Sequence, residues 1–158
     1  MMWLVAAPLI AAVAALIAGQ AGLLEGKEPA DLGVRDGRLK PPSMSENSVS
    51  SQADLYPDHP MRAYARIAPL KFEGDGKAAM VRLRHVIESM EGARVVRAEP
   101  GYLYAQFKTR WMHFVDDAEF LLDEDAGVIQ VRSASRIGKG DLGVNRARIE
   151  SIRARFRS

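Results

Sequence analysis

The sequence predicts a two-layer α+β fold: an antiparallel sheet of about five strands with two helices on one face, preceded by an N-terminal transmembrane helix. Three observations carry that reading. Four segments with period-two alternation follow one another between Ala93 and Ser135. Helical periodicity brackets them on both sides. Met1 to Leu24 contains no ionisable side chain. A block of strands framed by helices is the order of segregated layers, not of alternating βαβ units.

In chain order, residues 1–24 make a helix of roughly 36 Å, enough for a hydrocarbon core of ~30 Å. Gly19-Gln20-Ala21 also offers the small residues of a signal-peptidase site, but no Lys or Arg precedes the apolar run, so an anchor is preferred to a removed signal. Lys27, Arg35, Arg38 and Lys40 follow the segment, which by charge bias alone keeps the body in the cytoplasm. Glu25, Glu28, Asp31 and Asp36 are interleaved with them, and an N-terminal apolar segment is most often an export signal. The reading therefore leans to a membrane-anchored protein with an extracytoplasmic, periplasmic-side body.

Residues 25–60 read as a linker or extended arm. Pro29, Gly33, Gly37, Pro41, Pro42, Pro57 and Pro60 interrupt any period, and Ser43 to Gln52 is polar apart from Met44 and Val49. Tyr56, His59 and Tyr64 are the side chains able to anchor such an arm. The folded domain is expected over 61–158, with a first strand in Ala63 to Leu70. Lys77 to Glu91 places Met80, Leu83, Ile87 and Met90 on one helical stripe, ended by Gly92. Strands follow at Ala93 to Ala98, Tyr102 to Lys108, Met112 to Leu122 and Val128 to Ser135, with turns at Pro100-Gly101 and Asp123 to Gly127. Leu142 to Phe156 closes the chain as a helix, with Ile149, Ile152 and Phe156 inward and Arg146, Arg148, Arg153, Arg155 and Arg157 outward.

Composition excludes several classes. The chain has 158 residues, 22 Lys and Arg against 20 Asp and Glu, and no cysteine. A disulfide scaffold, a thiolate zinc site and a cysteine nucleophile are therefore out. A net charge of +2, without interleaved aromatic platforms and a basic groove, argues against nucleic acid.

Alternation assigns the sheet faces. Leu103, Ala105, Phe107, Phe114, Asp116 and Phe120 point to the helices. Tyr102, Tyr104, Gln106, His113, Asp117, Glu119, Gln130 and Arg132 point away, onto a face expected to be open to a partner. Tyr102, Tyr104, Asp117, Glu119 and Arg132 are the candidate ligand- or partner-binding residues. Asp117 or Glu119 is expected to pair with Arg132 or Lys108. Asp116, on the core side, must be paired or hydrogen-bonded, with Arg136 and Asn145 as partners. Ser133, Ser135, Asp141 and Arg146 join those three in a candidate structural polar network.

Two formal motifs are weaker. Gly138 to Gly143 spells G-x-G-x-x-G between strand and helix, but neither a βαβ unit nor a later acidic partner follows. Asp141 is better read as a helix cap. His113, Asp117 and Glu119 share a face, yet same-face neighbours lie ~6.6 Å apart along a strand, which is wide for chelation. No metal, cofactor or catalytic residue is assigned. Ser133 and Ser135 lack a nucleophile elbow.

Three blocks carry a family resemblance. Phe114-Val115-Asp116-Asp117-Ala118-Glu119-Phe120, Val131-Arg132-Ser133-Ala134-Ser135-Arg136-Ile137-Gly138 and Asp141-Leu142-Gly143-Val144-Asn145-Arg146-Ala147-Arg148-Ile149-Glu150 resemble the bacterial and plastid family catalogued as domain of unknown function 1499. The likeness runs from about Asn47 to Arg153. Asn47 to Gln52 resembles the family's opening motif, with Ser48 where a cysteine is usual. The resemblance implies a membrane-associated or exported domain and brings no established reaction.

The expectation is therefore a membrane-tethered interaction or small-ligand-binding domain that uses an open sheet face. Its partners would be the membrane, through the N-terminal helix, and a protein or membrane complex. The C-terminal Arg-rich helix is a candidate contact for anionic lipid. The alternative is a hydrolase or metal-dependent enzyme centred on His113, Asp117 and Glu119.

Overall fold

Period-two segments become the spine of one sheet. In the computed structural model, which describes residues 3–157, β3 (Ala93–Glu99), β4 (Tyr102–Lys108), β5 (Val115–Asp123) and β6 (Val128–Ser135) form an antiparallel meander. Two short strands, β1 (Ser48–Ser50) and β2 (Leu70–Lys71), pair antiparallel with β6. The order is β1-β6-β5-β4-β3, with β2 also on β6, giving six strands among the described residues. The four α-helices there are α1 (Trp3–Gln20), α2 (Arg62–Ala65), α3 (Gly76–Glu88) and α4 (Val144–Arg157).

The core lies between the sheet and α3 and α4. Leu83 and Ile87 of α3, Ile149 and Ile152 of α4, and Leu103, Phe120, Ile129 and Val131 of the sheet are all buried in one cluster. Each such side chain contributes about 1.5–3 kcal/mol when removed from water. Asp75 starts α3 by accepting the Ala78 amide at 2.7 Å. Gly92 turns the chain back into β3 at φ +73, and a Cβ there would stand 2.3 Å from the Lys108 carbonyl oxygen. Only glycine fits this turn.

Three expected elements change. Ala63 to Leu70 is not a strand: α2 occupies its first half, Arg66 makes a single parallel bridge to Ser50, and Pro69, which has no amide to give a ladder, leaves Leu70–Lys71 as the short strand. β5 begins at Val115, not Met112. Thr109 folds the preceding residues into a turn by giving its amide to the Phe114 carbonyl at 2.9 Å and accepting the Phe114 amide on Oγ1 at 3.0 Å. His113 in that turn has φ +53. Residues 47–52 belong to the sheet through β1, so the folded body extends before residue 61.

The transmembrane helix expected over residues 1–24 is not found. Met1 and Met2 lie outside the described residues, and among the described residues no helix is long and apolar enough to cross a membrane. α1 has 18 residues, roughly 27 Å at 1.5 Å per residue. Its last turn is seated on the body: Gly19 packs so closely on Met112 that a Cβ would lie 2.5 Å from the Met112 carbonyl oxygen, and Gln20 donates to the Trp111 carbonyl at 2.9 Å.

Candidate functional site

The sheet face opposite α3 and α4 carries the residues that alternation assigns to it, but it is not open. Residues 28–41 run across it as a strap. Leu39, fully buried, packs on Tyr102 and Tyr104, with Leu32 and Leu121 beside them. A two-residue turn at Asp36-Gly37, with both residues at positive φ, lets Arg35 and Arg38 exchange amide and carbonyl bonds at 2.9 and 3.0 Å. The expected open face is therefore corrected to a covered one. Residues 28–41, within the stretch read as a linker or extended arm, find apolar and polar partners on the sheet.

Beneath the strap lie two ion pairs on neighbouring strands. Arg136 grips Asp117 bidentately, Nε to Oδ2 at 2.9 Å and Nη2 to Oδ1 at 2.8 Å. Tyr104 donates to the same Oδ1 at 2.6 Å, and Gln106 reaches both the Tyr104 hydroxyl and Glu28 of the strap. Glu119 is 0% exposed and faces Arg132 at 3.7 Å. Its Oε1 accepts the Tyr102 hydroxyl at 2.8 Å and the Gly33 amide of the strap at 2.7 Å, while Oε2 has no hydrogen-bond partner. Arg132 gives Nε to the Pro41 carbonyl at 3.1 Å. The strap is thus fastened by the very carboxylate and guanidinium that the sequence marks for ligand contact.

The electrostatics follow from that enclosure. Burial and the Glu119 carboxylate push the Tyr102 hydroxyl far above its ordinary value. Burial and the bond to Asp117 push Tyr104 up to about 12. Burial lowers the Arg132 guanidinium against the pull of Glu119, whereas the bonds to Asp117 raise Arg136. Both tyrosines stay protonated donors at neutral pH.

A second polar cluster sits on the helix side and links the sheet to the start of α4. Asn145 is fully buried. Its Oδ1 accepts Ser133 at 2.6 Å and Arg148 at 2.8 Å, and its Nδ2 donates to Ser135, Asp141 and the Asn47 carbonyl. Asp141 accepts the Gly143 and Asn145 amides and the Tyr64 hydroxyl. Burial raises the Asp141 carboxyl, but the bonds from Asn145, Gly143 and Tyr64 together outweigh it and hold the group below the usual carboxylate range. The expected members Ser133, Ser135, Asp141 and Asn145 do assemble.

Other expectations need correction. Asp116 pairs with Arg148 at 2.5 Å, not with Arg136 or Asn145, because Arg148 lies one turn beyond Asn145 on the same helix face. Arg136 belongs to the strapped face instead. Arg146 is not within the cluster: it donates to the Arg66 carbonyl at 2.9 Å and to the Tyr64 carbonyl. Arg153 points inward and donates to the carbonyls of Ala68 and Pro69 at 2.6 Å each. Arg146, Arg148 and Arg153 of the C-terminal helix are therefore engaged within the fold. The His113, Asp117 and Glu119 constellation does not form, since His113 stands in the turn before β5 while the two carboxylates hold arginines under the strap. Among the described residues no group of three or more His, Asp or Glu side chains is placed to hold a metal ion.

The geometry can be set against known families. A family model described as Protein of unknown function (DUF1499) matches residues 38–156. The chain belongs to that family. No curated protein and no solved structure matches the chain. The DUF1499 match takes in both clusters and the end of the strap from Arg38 onward, and its description supplies no reaction.

Sequence reasoning misses Tyr64, Asn47 and Arg148 as network members and Gly33 and Leu39 as strap contacts. Asp36-Gly37 is the one local signal that marks a turn, and hence a returning chain, in the supposed linker.

Proposed function

We propose that this DUF1499 chain is a membrane-anchored binding domain in which α1 embeds in the bilayer and the strap occupies the polar sheet face until a protein partner or small ligand displaces it. One observation carries the anchoring. α1 holds Ile10, Val13, Leu16 and Ile17 in solvent, Ile10 at 67% and Ile17 at 64% exposure, and carries no charge along its length. In water each such side chain forgoes about 1.5–3 kcal/mol of burial; in hydrocarbon that cost vanishes, and the helix satisfies its own backbone.

Flotation with phosphatidylcholine vesicles tests the anchor. The full chain is expected to rise with the vesicles and to stay bound in high salt, whereas Ile10→Asp with Val13→Asp and Ile17→Asp remains in the dense fraction with unchanged thermal unfolding of the body. A wild-type chain that does not float overturns the reading.

The binding role is supported by the strap's economy: between Glu28 and Pro41 it lays only Leu32 and Leu39 against the sheet's apolar side chains, and polar bonds supply the rest. Such a segment opens without global unfolding. The Gly33 and Leu39 amides, held by Glu119 and Gln52, are expected to exchange with deuterium far faster than the amides of β5 and β6. Equal protection at all four places would count against a displaceable strap and against Tyr102, Tyr104, Asp117, Glu119 and Arg132 as a ligand surface.

A further inference from the structure

The strand register gathers a set of exposed side chains at the end of the domain where α1 is rooted. Lys108 pairs with Val115 and Asp116 with Ser135, so the loops 109–114 and 136–143 leave the sheet side by side. Gly19 rests on Met112, Lys108 is paired with Glu25 just beyond α1, and a Cβ on Gly26 would meet Arg136 and Ile137. These loops are the part of the body nearest the helix.

They expose what a soluble loop does not need. Trp111 is 64% exposed, with the Arg110 guanidinium 5.2 Å from its ring centroid. Leu142 is 102% exposed and held at φ +51, a backbone state that is strained for a bulky residue. Ile137 and Val144 are exposed beside it. Between the 109–114 loop and α4 lies a groove of about 710 Å³ with Lys108, Arg110, His113 and Arg148 on its walls, Phe107 and Val144 among its apolar residues, and Glu91 as its one acid. Lys139 adds a cation at the 136–143 tip. At the opposite end the loop tips carry Glu73, Asp75, Glu124 and Asp125, with Lys71, Lys77, Arg82 and Arg157 among them. The end toward α1 is therefore marked by exposed Trp111, Ile137, Leu142 and Val144 beside Arg110 and Lys139, whereas the opposite tips carry charges of both signs.

We infer that this end of the domain seats on the bilayer surface, with Trp111 and Leu142 in the interfacial layer, Arg110 and Lys139 on anionic lipid, and a headgroup phosphate in the groove. The inference rests on the anchoring reading, which brings the surface to the membrane. Tryptophan favours the interface because its ring is amphipathic, and each cation at an anionic surface shifts the equilibrium roughly fivefold. The body is then held against the membrane and does not swing on a tether.

The test uses the full chain with Trp3→Phe, which leaves Trp111 as its one tryptophan. It is bound to vesicles of phosphatidylcholine alone or mixed with phosphatidylglycerol. With the mixture, Trp111 emission is expected to shift to the blue and to be quenched by lipid brominated near the headgroup. Phosphatidylcholine alone or high salt weakens both, and removing Arg110 and Lys139 as Arg110→Gln and Lys139→Gln weakens docking roughly fivefold per cation. A chain that floats but keeps water-exposed, unquenched Trp111 emission, or that responds equally to both vesicles, overturns this inference alone. Failure to float overturns the anchor and the docking together.

Discussion

Arg132→Met is expected to lower stability by about 3–5 kcal/mol, because it strands a carboxylate in a site that water does not reach. Glu119 is 0% exposed, and its Oε2 has no hydrogen bond to fall back on. Its other oxygen is already committed to Tyr102 and to the Gly33 amide. With the guanidinium gone, the group must either ionise without a counter-charge or take up a proton and lose its acceptor strength toward the strap. The variant also deletes the bond to the Pro41 carbonyl, so both attachments of the strap to this pair weaken at once. The double variant Arg132→Met with Glu119→Leu is expected to recover most of the loss, since packed apolar side chains often replace a buried pair without penalty. Urea unfolding of the two singles and the double closes a thermodynamic cycle. A cost below about 1 kcal/mol for Arg132→Met alone would mean that the pair is solvated and the strap not fastened by charge.

That pair also shows where sequence reading succeeds and where it stops. Val128–Ser135 is legible to the residue, because alternation runs unbroken to its end and the Asp123 to Gly127 turn fixes its start. The same alternation sorts Tyr102, Tyr104, Asp117, Glu119 and Arg132 onto one side and Asp116 and Phe120 onto the other, and the structure keeps that division. Alternation says which side chains share a face; it says nothing about what lies over them. The cover comes from Leu32 and Leu39, two apolar residues seven positions apart in a stretch broken by glycine and proline, where no period exists to be read. Arg153 is misplaced for a related reason. Pro69 cuts the ladder short, leaving the Ala68 and Pro69 carbonyls in need of donors, and a long cationic side chain from α4 supplies them. Helical periodicity sees an arginine and assigns it to water.

Asn145→Leu is the complementary case, in which the side chain is neutral and the loss comes from the partners left behind. Leucine matches asparagine closely in size, so little cavity forms, yet five side-chain hydrogen bonds disappear. Ser133 and Ser135 lose a partner, the Asn47 carbonyl loses one of its two donors and keeps the Ser135 amide, and Asp141 keeps its charge with only the Gly143 and Asn145 amides and the Tyr64 hydroxyl around it. Unsatisfied buried groups cost about 1–3 kcal/mol each, and some of them can regain water at the loop, so a net loss of about 4 kcal/mol is expected by urea unfolding. Asn145→Asp separates the hydrogen-bonding role from shape. The introduced carboxylate faces Asp141, and two carboxylates in contact force one of them to a raised value in the folded state. A group raised in this way destabilises the fold at neutral pH, and the penalty is relieved as pH falls through its folded value. Asn145→Asp is therefore expected to regain stability relative to Asn145→Leu as the pH is lowered from 7 toward 5. Parallel pH profiles for the two variants, or a leucine variant within 1 kcal/mol of the parent, would remove Asn145 from the centre of the joint between the sheet and the last helix.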